Sequence, residues 1–173
     1  MNKLPVRLVR EKAVISDCGL YRYWLSREIR STGNIKPIVF VMLNPSTADA
    51  NNDDPTIRRC MGYAKSWGGS HLIVVNLFAF RATNPEMLWD ESTQDPIGEL
   101  NDEAIETACD YAHAHDGKVV VAWGEHGAYM DRGYEVLTHI ERFKPVCLKL
   151  NKSGAPAHPL YQRKDAVPVE VVL

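Results

Sequence analysis

Ile38-Val39-Phe40-Val41-Met42-Leu43 is an unbroken apolar run that stops at Asn44-Pro45-Ser46-Thr47. An apolar run without alternation is the pattern of a strand buried on both faces, which in practice means a parallel strand covered by helices. Pro45 cannot donate a ladder hydrogen bond, so the strand ends there. The same pattern recurs three times. His71 to Phe78 runs into Arg81-Ala82-Thr83-Asn84-Pro85, Lys118 to Trp123 closes at Gly124, and Val146 to Leu150 empties into a loop carrying His158-Pro159-Leu160-Tyr161.

Helical patterns separate these runs. Ile57, Cys60, Met61 and Ala64 recur at helical spacing behind Asp54-Pro55, an N-cap followed by a first-turn proline, and Gly68-Gly69 ends that helix. Pro85 to Trp89 reads as a short helix. Asn101 reads as the cap of another, with Ala104, Ile105, Ala108, Cys109 and Ala112 on one face. Tyr129, Val136, Leu137 and Ile140 mark a further helix. Upstream, two β-prone runs flank Asp17-Cys18-Gly19, a hairpin at about residues 12–25, and the tail from Val167 to Leu173 is apolar and β-prone. Alternating strands and helices predict a three-layer α/β/α sandwich with a mainly parallel four-stranded central sheet, formed as a single α/β domain over residues 1–173. Right-handed crossovers place the carboxyl ends of parallel strands on one edge, where open α/β sheets bind ligands. Asn44, Asn76 to Arg81, Trp123-Gly124 and His158 are therefore expected to meet.

Composition excludes several classes. No apolar stretch reaches membrane-spanning length, and Met1 to Arg7 lacks the apolar core of a signal peptide, so a cytoplasmic protein without membrane contact is expected. Cys18, Cys60, Cys109 and Cys147 form no paired motif, and His113 and His115 have no ligand-spaced partner, so no metal and no cofactor is expected. Phosphate-cradling glycine motifs and a nucleophile elbow are absent. The net charge of −2 is not that of a protein that coats nucleic acid. Basic residues do cluster beside the site loops. Arg58, Arg59, Arg81, Arg163 and Lys164 are read as phosphate contacts, with solvated surface charge as the competing explanation.

Leu43-Asn44-Pro45-Ser46-Thr47-Ala48-Asp49, Asp53 to Cys60, Asn76-Leu77-Phe78-Ala79, Ala122-Trp123-Gly124 and His158-Pro159-Leu160-Tyr161 together resemble the family catalogued as domain of unknown function 1643. More distantly, the order of Met42-Leu43-Asn44-Pro45, the Val75-Asn76 strand end with its Arg81 loop, Val120 to Gly124 and His158-Pro159-Leu160 is similar to that of the uracil-DNA glycosylase superfamily. Leu43 stands where that superfamily often has a small residue, Leu160 stands where it has Ser, and the iron–sulfur cysteines of some branches have no counterpart. The resemblance implies a uracil-DNA-glycosylase-like fold and a protein that recognises, and by hydrolysis of the N-glycosidic bond excises, a modified or damaged base in DNA. In that reading His158 donates to the departing base and Asn44 orients water, being too weak a base to deprotonate it. Asn76 reads the base, and Leu160 or Tyr161 fills the gap left by base flipping. Pro45, Ser46, Phe78 and Trp123 complete the pocket, and Asp49 and Asp53 are its candidate general bases. Two alternatives stand beside this one: a binder or hydrolase of a free nucleotide or nucleoside, and a noncatalytic module that contacts nucleic acid or protein.

Overall fold

The computed structural model describes residues 10–171. Met1 to Arg7, read above as lacking a signal-peptide core, lies outside them, as do Val172 and Leu173 of the apolar tail. The strands are β1 (Ala13–Ile15), β2 (Arg22–Glu28), β3 (Pro37–Met42), β4 (His71–Asn76), β5 (Lys118–Val121), β6 (Val146–Cys147) and β7 (Val169–Glu170). The helices are α1 (Pro55–Ser66), α2 (Asn101–Ala114) and α3 (Arg132–Ile140), with short 3-10 turns at Pro85–Trp89, Glu125–Asp131, Glu141–Phe143 and Pro159–Tyr161. No helix among the described residues is long and apolar enough to cross a membrane.

The seven strands among the described residues form one mixed sheet in the order β1-β2-β4-β3-β5-β6-β7. β3 pairs in parallel with β4 and with β5, and β5 with β6. The expected four-stranded sheet is therefore incomplete. The hairpin does not stand apart but continues the sheet, with β2 antiparallel to β4 and β1 antiparallel to β2. At the other edge β7 runs antiparallel to β6. The reason lies in β2, whose residues Arg22 to Ser26 are buried despite an alternating sequence. Pairing with β4 covers an edge that would otherwise leave backbone donors and acceptors unmatched. β6 is cut to two residues, with Val120 opposite Val146 as its one register pair to β5.

Strand alternation sorts the core into two layers. Ile38, Phe40, Met42, Leu72, Val74 and Val120 pack with Ile57, Cys60, Tyr63 and Ala64 of α1. Val39, Val41, Ile73, Val75, Val119 and Val121 pack with Ala104, Ile105, Ala108, Cys109 and Ala112 of α2 and with Val136 and Ile140 of α3. Cys60, Cys109 and Cys147 are buried free thiols. Burial pushes the Cys109 thiol up to about 12, so it is inert at neutral pH.

Two helix starts differ in an instructive way. At α1 the Asp54 carboxylate accepts from the Ile57 N–H at 2.9 Å with Pro55 in the first turn, the capping its sequence requires. At α2, Asn101 is not the cap. Leu100 occupies that position without a side-chain bond, and Asn101 is the first helical residue, fully buried. Its Nδ2 turns back to donate to the carbonyls of Asn76 at 2.9 Å and Leu77 at 2.8 Å. A cap-type residue has been recruited to hold the end of β4.

Candidate functional site

β3, β4 and β5 are parallel, so their carboxyl ends open on the same edge of the sheet. The loops there enclose a cavity of about 520 Å³. Asn44 and Ser46 reach it from the loop after β3, Asn76 from the end of β4, Trp123 and Gly124 from the segment after β5, and His158 and Tyr161 from the late loop. Asp54, Thr56 and Ile57 bring the first turn of α1 against it, and Arg22 lines it from the start of β2.

Local contacts fix what each group offers. Asn44 Nδ2 donates to the carbonyls of Pro45 at 3.1 Å and Ala82 at 2.8 Å, which uses both amide hydrogens and leaves Oδ1 to accept. Asn76 is 2% exposed, and its Nδ2 has no hydrogen-bond partner among the described residues. His158 Nδ1 accepts from the Leu160 N–H at 3.3 Å. A backbone N–H can only donate, so the ring proton of neutral His158 sits on Nε2. The His158 loop is anchored on α1, where the Tyr63 hydroxyl donates to the Arg163 carbonyl at 2.7 Å and Arg59 to the Gln162 carbonyl at 3.4 Å. Trp123 is seated by two glycines. A Cβ on Gly127 would stand 2.1 Å from the indole Cδ1, and one on Gly133 would stand 3.0 Å from Nε1.

Burial lowers the His158 pKa from the ordinary histidine value of 6.5, and the Asp54 carboxylate opposes that shift. The folded protein thus holds the proton more weakly than the unfolded chain. Between the two values the unfolded chain carries more protons, so stability rises with pH there and is lost as pH falls below 6.5 toward the folded-state value. His158→Gln is expected to remove this part of the acid sensitivity. Melting temperatures measured from about pH 7 to about pH 5 should fall less steeply in the variant. An identical slope would mean that His158 does not titrate in this window.

Several residues expected at the site lie elsewhere. Asp53 is paired with Arg27 at 2.7 Å. Asp49 Oδ1 accepts from the Asn51 and Asn52 N–H groups at 2.9 Å each, bonds that hold its carboxyl below the usual range. Neither lines the cavity; Asp54 does. Phe78 is fully buried and packs on Tyr129. Pro45 is buried, its carbonyl accepting from the Ala82 N–H at 2.9 Å. Leu160 is half-buried outside the lining, whereas Tyr161 is 83% exposed at the mouth. The basic residues are outside the lining too. Arg58 donates to the Asp53 carbonyl, Arg81 to the Gly19 carbonyl and Arg163 to the Asp165 carboxylate, while Lys164 is exposed.

A family model described as protein of unknown function (DUF1643) matches residues 22–160. The chain belongs to this family. No curated protein and no solved structure matches it. The DUF1643 match runs from the start of β2 to the turn after His158, so both Arg22 and His158 fall within it. Arg22, Asp54 and Glu125 are the charged lining residues that sequence reasoning missed as ligand contacts. Arg22 sits in a run expected only to form one strand of the hairpin, and the signal is a lone charge set between Tyr21 and Tyr23-Trp24. Asp54 was read only as a helix cap, a role it also fills. No group of three His, Cys, Asp or Glu among the described residues of the DUF1643 chain is placed to hold a metal ion.

Proposed function

We propose that this cavity accepts a nucleobase with its sugar and that the protein hydrolyses the N-glycosidic bond between them, as a DNA-glycosylase-like enzyme built on a uracil-DNA-glycosylase-like α/β/α sandwich. The observation that carries the reading is the convergence of three complementary groups on one cavity: an unpartnered buried amide donor on Asn76, a free acceptor on Asn44 and an Nε2–H on His158. The order of those groups along the chain and the parallel pairing of β3, β4, β5 and β6 support it.

Cleavage leaves negative charge on the base and positive charge on the sugar. His158 donates from Nε2 to the departing base, and in a site screened from water such a donor is worth more than in solution. Asn76 Nδ2 donates to a base carbonyl, which orients the base. Asn44 Oδ1 accepts from the attacking water, and Asp54, the carboxylate at the mouth of α1, takes its proton as the oxygen bonds to the sugar carbon and the carbon–nitrogen bond breaks. Trp123 and Tyr161 offer aromatic surface to the base.

One observation favours a free nucleoside or nucleotide over a DNA strand as the substrate. Arg58, Arg59, Arg81, Arg163 and Lys164 all lie outside the lining, so none of the expected phosphate contacts borders the cavity that takes the base. The test is incubation with single- and double-stranded oligonucleotides carrying modified bases, in parallel with free nucleosides and nucleotides, followed by mass analysis of released base. Release from either class supports hydrolysis and names the substrate class. Saturable binding without release from any of them would make the protein a noncatalytic module.

A further inference from the structure

Arg22 is 2% exposed and lines the cavity. Its Nη1 donates to the Ala48 carbonyl at 2.8 Å. Its Nε is buried without a hydrogen-bond partner among the described residues, and no carboxylate among them forms an ion pair with it within 4.0 Å. The surroundings do not compensate the charge. Burial pushes the guanidinium down to about 10, Arg81 and Arg27 add to the push, and the Asp54 and Asp49 carboxylates oppose it without contacting the group. The group is still a cation at neutral pH. A buried cation without a contacting anion is an expensive arrangement, and proteins keep one mostly where a ligand completes it.

A second donor waits in the same cavity. Asn76 Nδ2, on the strand beside β2, is equally buried and equally without a partner. The first turn of α1 also faces the cavity, and the positive end of its dipole favours negative charge there. The lining holds two carboxylates, both already engaged: Asp54 accepts from the Ile57 N–H, and Glu125 accepts from Asn151 and Ser153.

We propose that Arg22 and Asn76 form a subsite for the terminal oxyanion of a small ligand, a phosphate monoester or a carboxylate. A guanidinium edge offers parallel donors that match two oxygens of one such group. The donors are buried, so the anion enters end-on. A terminal monoester or carboxylate can do that, whereas an internal phosphodiester is esterified on both sides and cannot. This subsite shares the cavity of the proposed hydrolase and rests on that reading only for the substrate: the Asn76 amide carries two hydrogens, one for the anion and one for the base carbonyl, and the two roles together make the substrate a free mononucleotide. Binding at the subsite does not depend on turnover.

The experiment measures binding by calorimetry and by thermal melting, using the full chain and, as probes, inorganic phosphate, acetate, the 5′-mononucleotides and their nucleosides. Phosphate-bearing probes are expected to bind saturably and raise the melting temperature, and nucleosides to bind more weakly than their monophosphates. Arg22→Gln is expected to weaken the monophosphates about tenfold or more, the loss of a charge-assisted bond. Asn76→Asp, which sets a carboxylate in the lining shared with Arg22, should do the same and covers the case in which Arg22→Gln fails to fold. Acetate binding lost in the same variants, with phosphate inert, would assign the subsite to carboxylates. Absence of saturable binding by every anion, or equal binding by wild type and folded variants, overturns the proposal. Base release is scored separately, so its absence removes the hydrolase reading and leaves the anion subsite intact.

Discussion

His158→Ala is expected to slow base release about a hundredfold or more while the protein stays folded, because it deletes one preorganised donor to a developing anion. The size of the effect follows from how the ring is held. Its Nδ1 is occupied by the Leu160 N–H, which fixes the tautomer and aims the remaining proton away from the backbone. The loop that carries it is tied to α1 through Tyr63 and Arg59 rather than left free in solvent. Burial keeps the ring neutral at pH 7, so it donates without the cost of placing another cation near Arg22. The side chain is only half-buried, which is why truncation should spare the fold. Single-turnover base release with a substrate identified by mass analysis, run beside a thermal melt, is the measurement. Wild-type rates in a folded His158→Ala protein would falsify the assignment. A partial rescue by Gln, which can donate from a similar position, would separate lost hydrogen bonding from lost packing.

How far the site was legible depended on which signal each residue left in the chain. Asn44, Asn76, Trp123 and His158 were legible because each follows an apolar strand, and parallel strands must release their loops on one edge. Nothing finer than chain order was needed to bring them together. Asp49 and Asp53 fall outside the lining because a carboxylate in a polar loop has many local partners, and a nearby Arg is one the sequence offers to Asp53. Asp49 satisfied backbone N–H groups two and three residues on, and Asp53 found Arg27 on β2. Which neighbour wins is a tertiary question. Arg22 was missed for the opposite reason. A charged residue in an alternating strand is ordinarily solvent-facing, and only the placement of β2 beside β4, inside a sheet larger than expected, buries it. Leu160 and Tyr161 are neighbours on one 3-10 turn, yet the turn exposes the tyrosine and tucks the leucine in, a rotation the sequence does not encode visibly.

Asn101→Ala is expected to destabilise the protein by about 1–3 kcal/mol, beyond the modest cost of a lost surface bond, because it strips hydrogen bonds from buried carbonyls. Asn101 is fully buried and its Nδ2 serves two successive carbonyls, those of Asn76 and Leu77. Leu77 keeps a second donor, Arg132 Nε at 3.1 Å, so the loss falls mainly on the Asn76 carbonyl. Helix propensity pulls the other way, since alanine is the better first-turn former, but that gain is at most about 0.7 kcal/mol. The functional consequence should exceed the thermodynamic one. Asn76 carries the unpartnered amide that faces the cavity, and its backbone is held by Asn101 on one side and by the β3 register on the other. Releasing one hold lets the amide swing from its donor position, and a displacement of about 1 Å at a positioning group can cost about a hundredfold in rate. Asn101→Ala should therefore lower both the denaturant midpoint and ligand affinity. Asn101→Asp, which keeps the shape but loses the donor and sets a carboxylate against two carbonyls, should be worse on both counts. If Asn101→Ala lowers stability and leaves base release and mononucleotide binding at wild-type values, Asn101 is a structural strut alone and Asn76 is positioned by β3 and β4 without it.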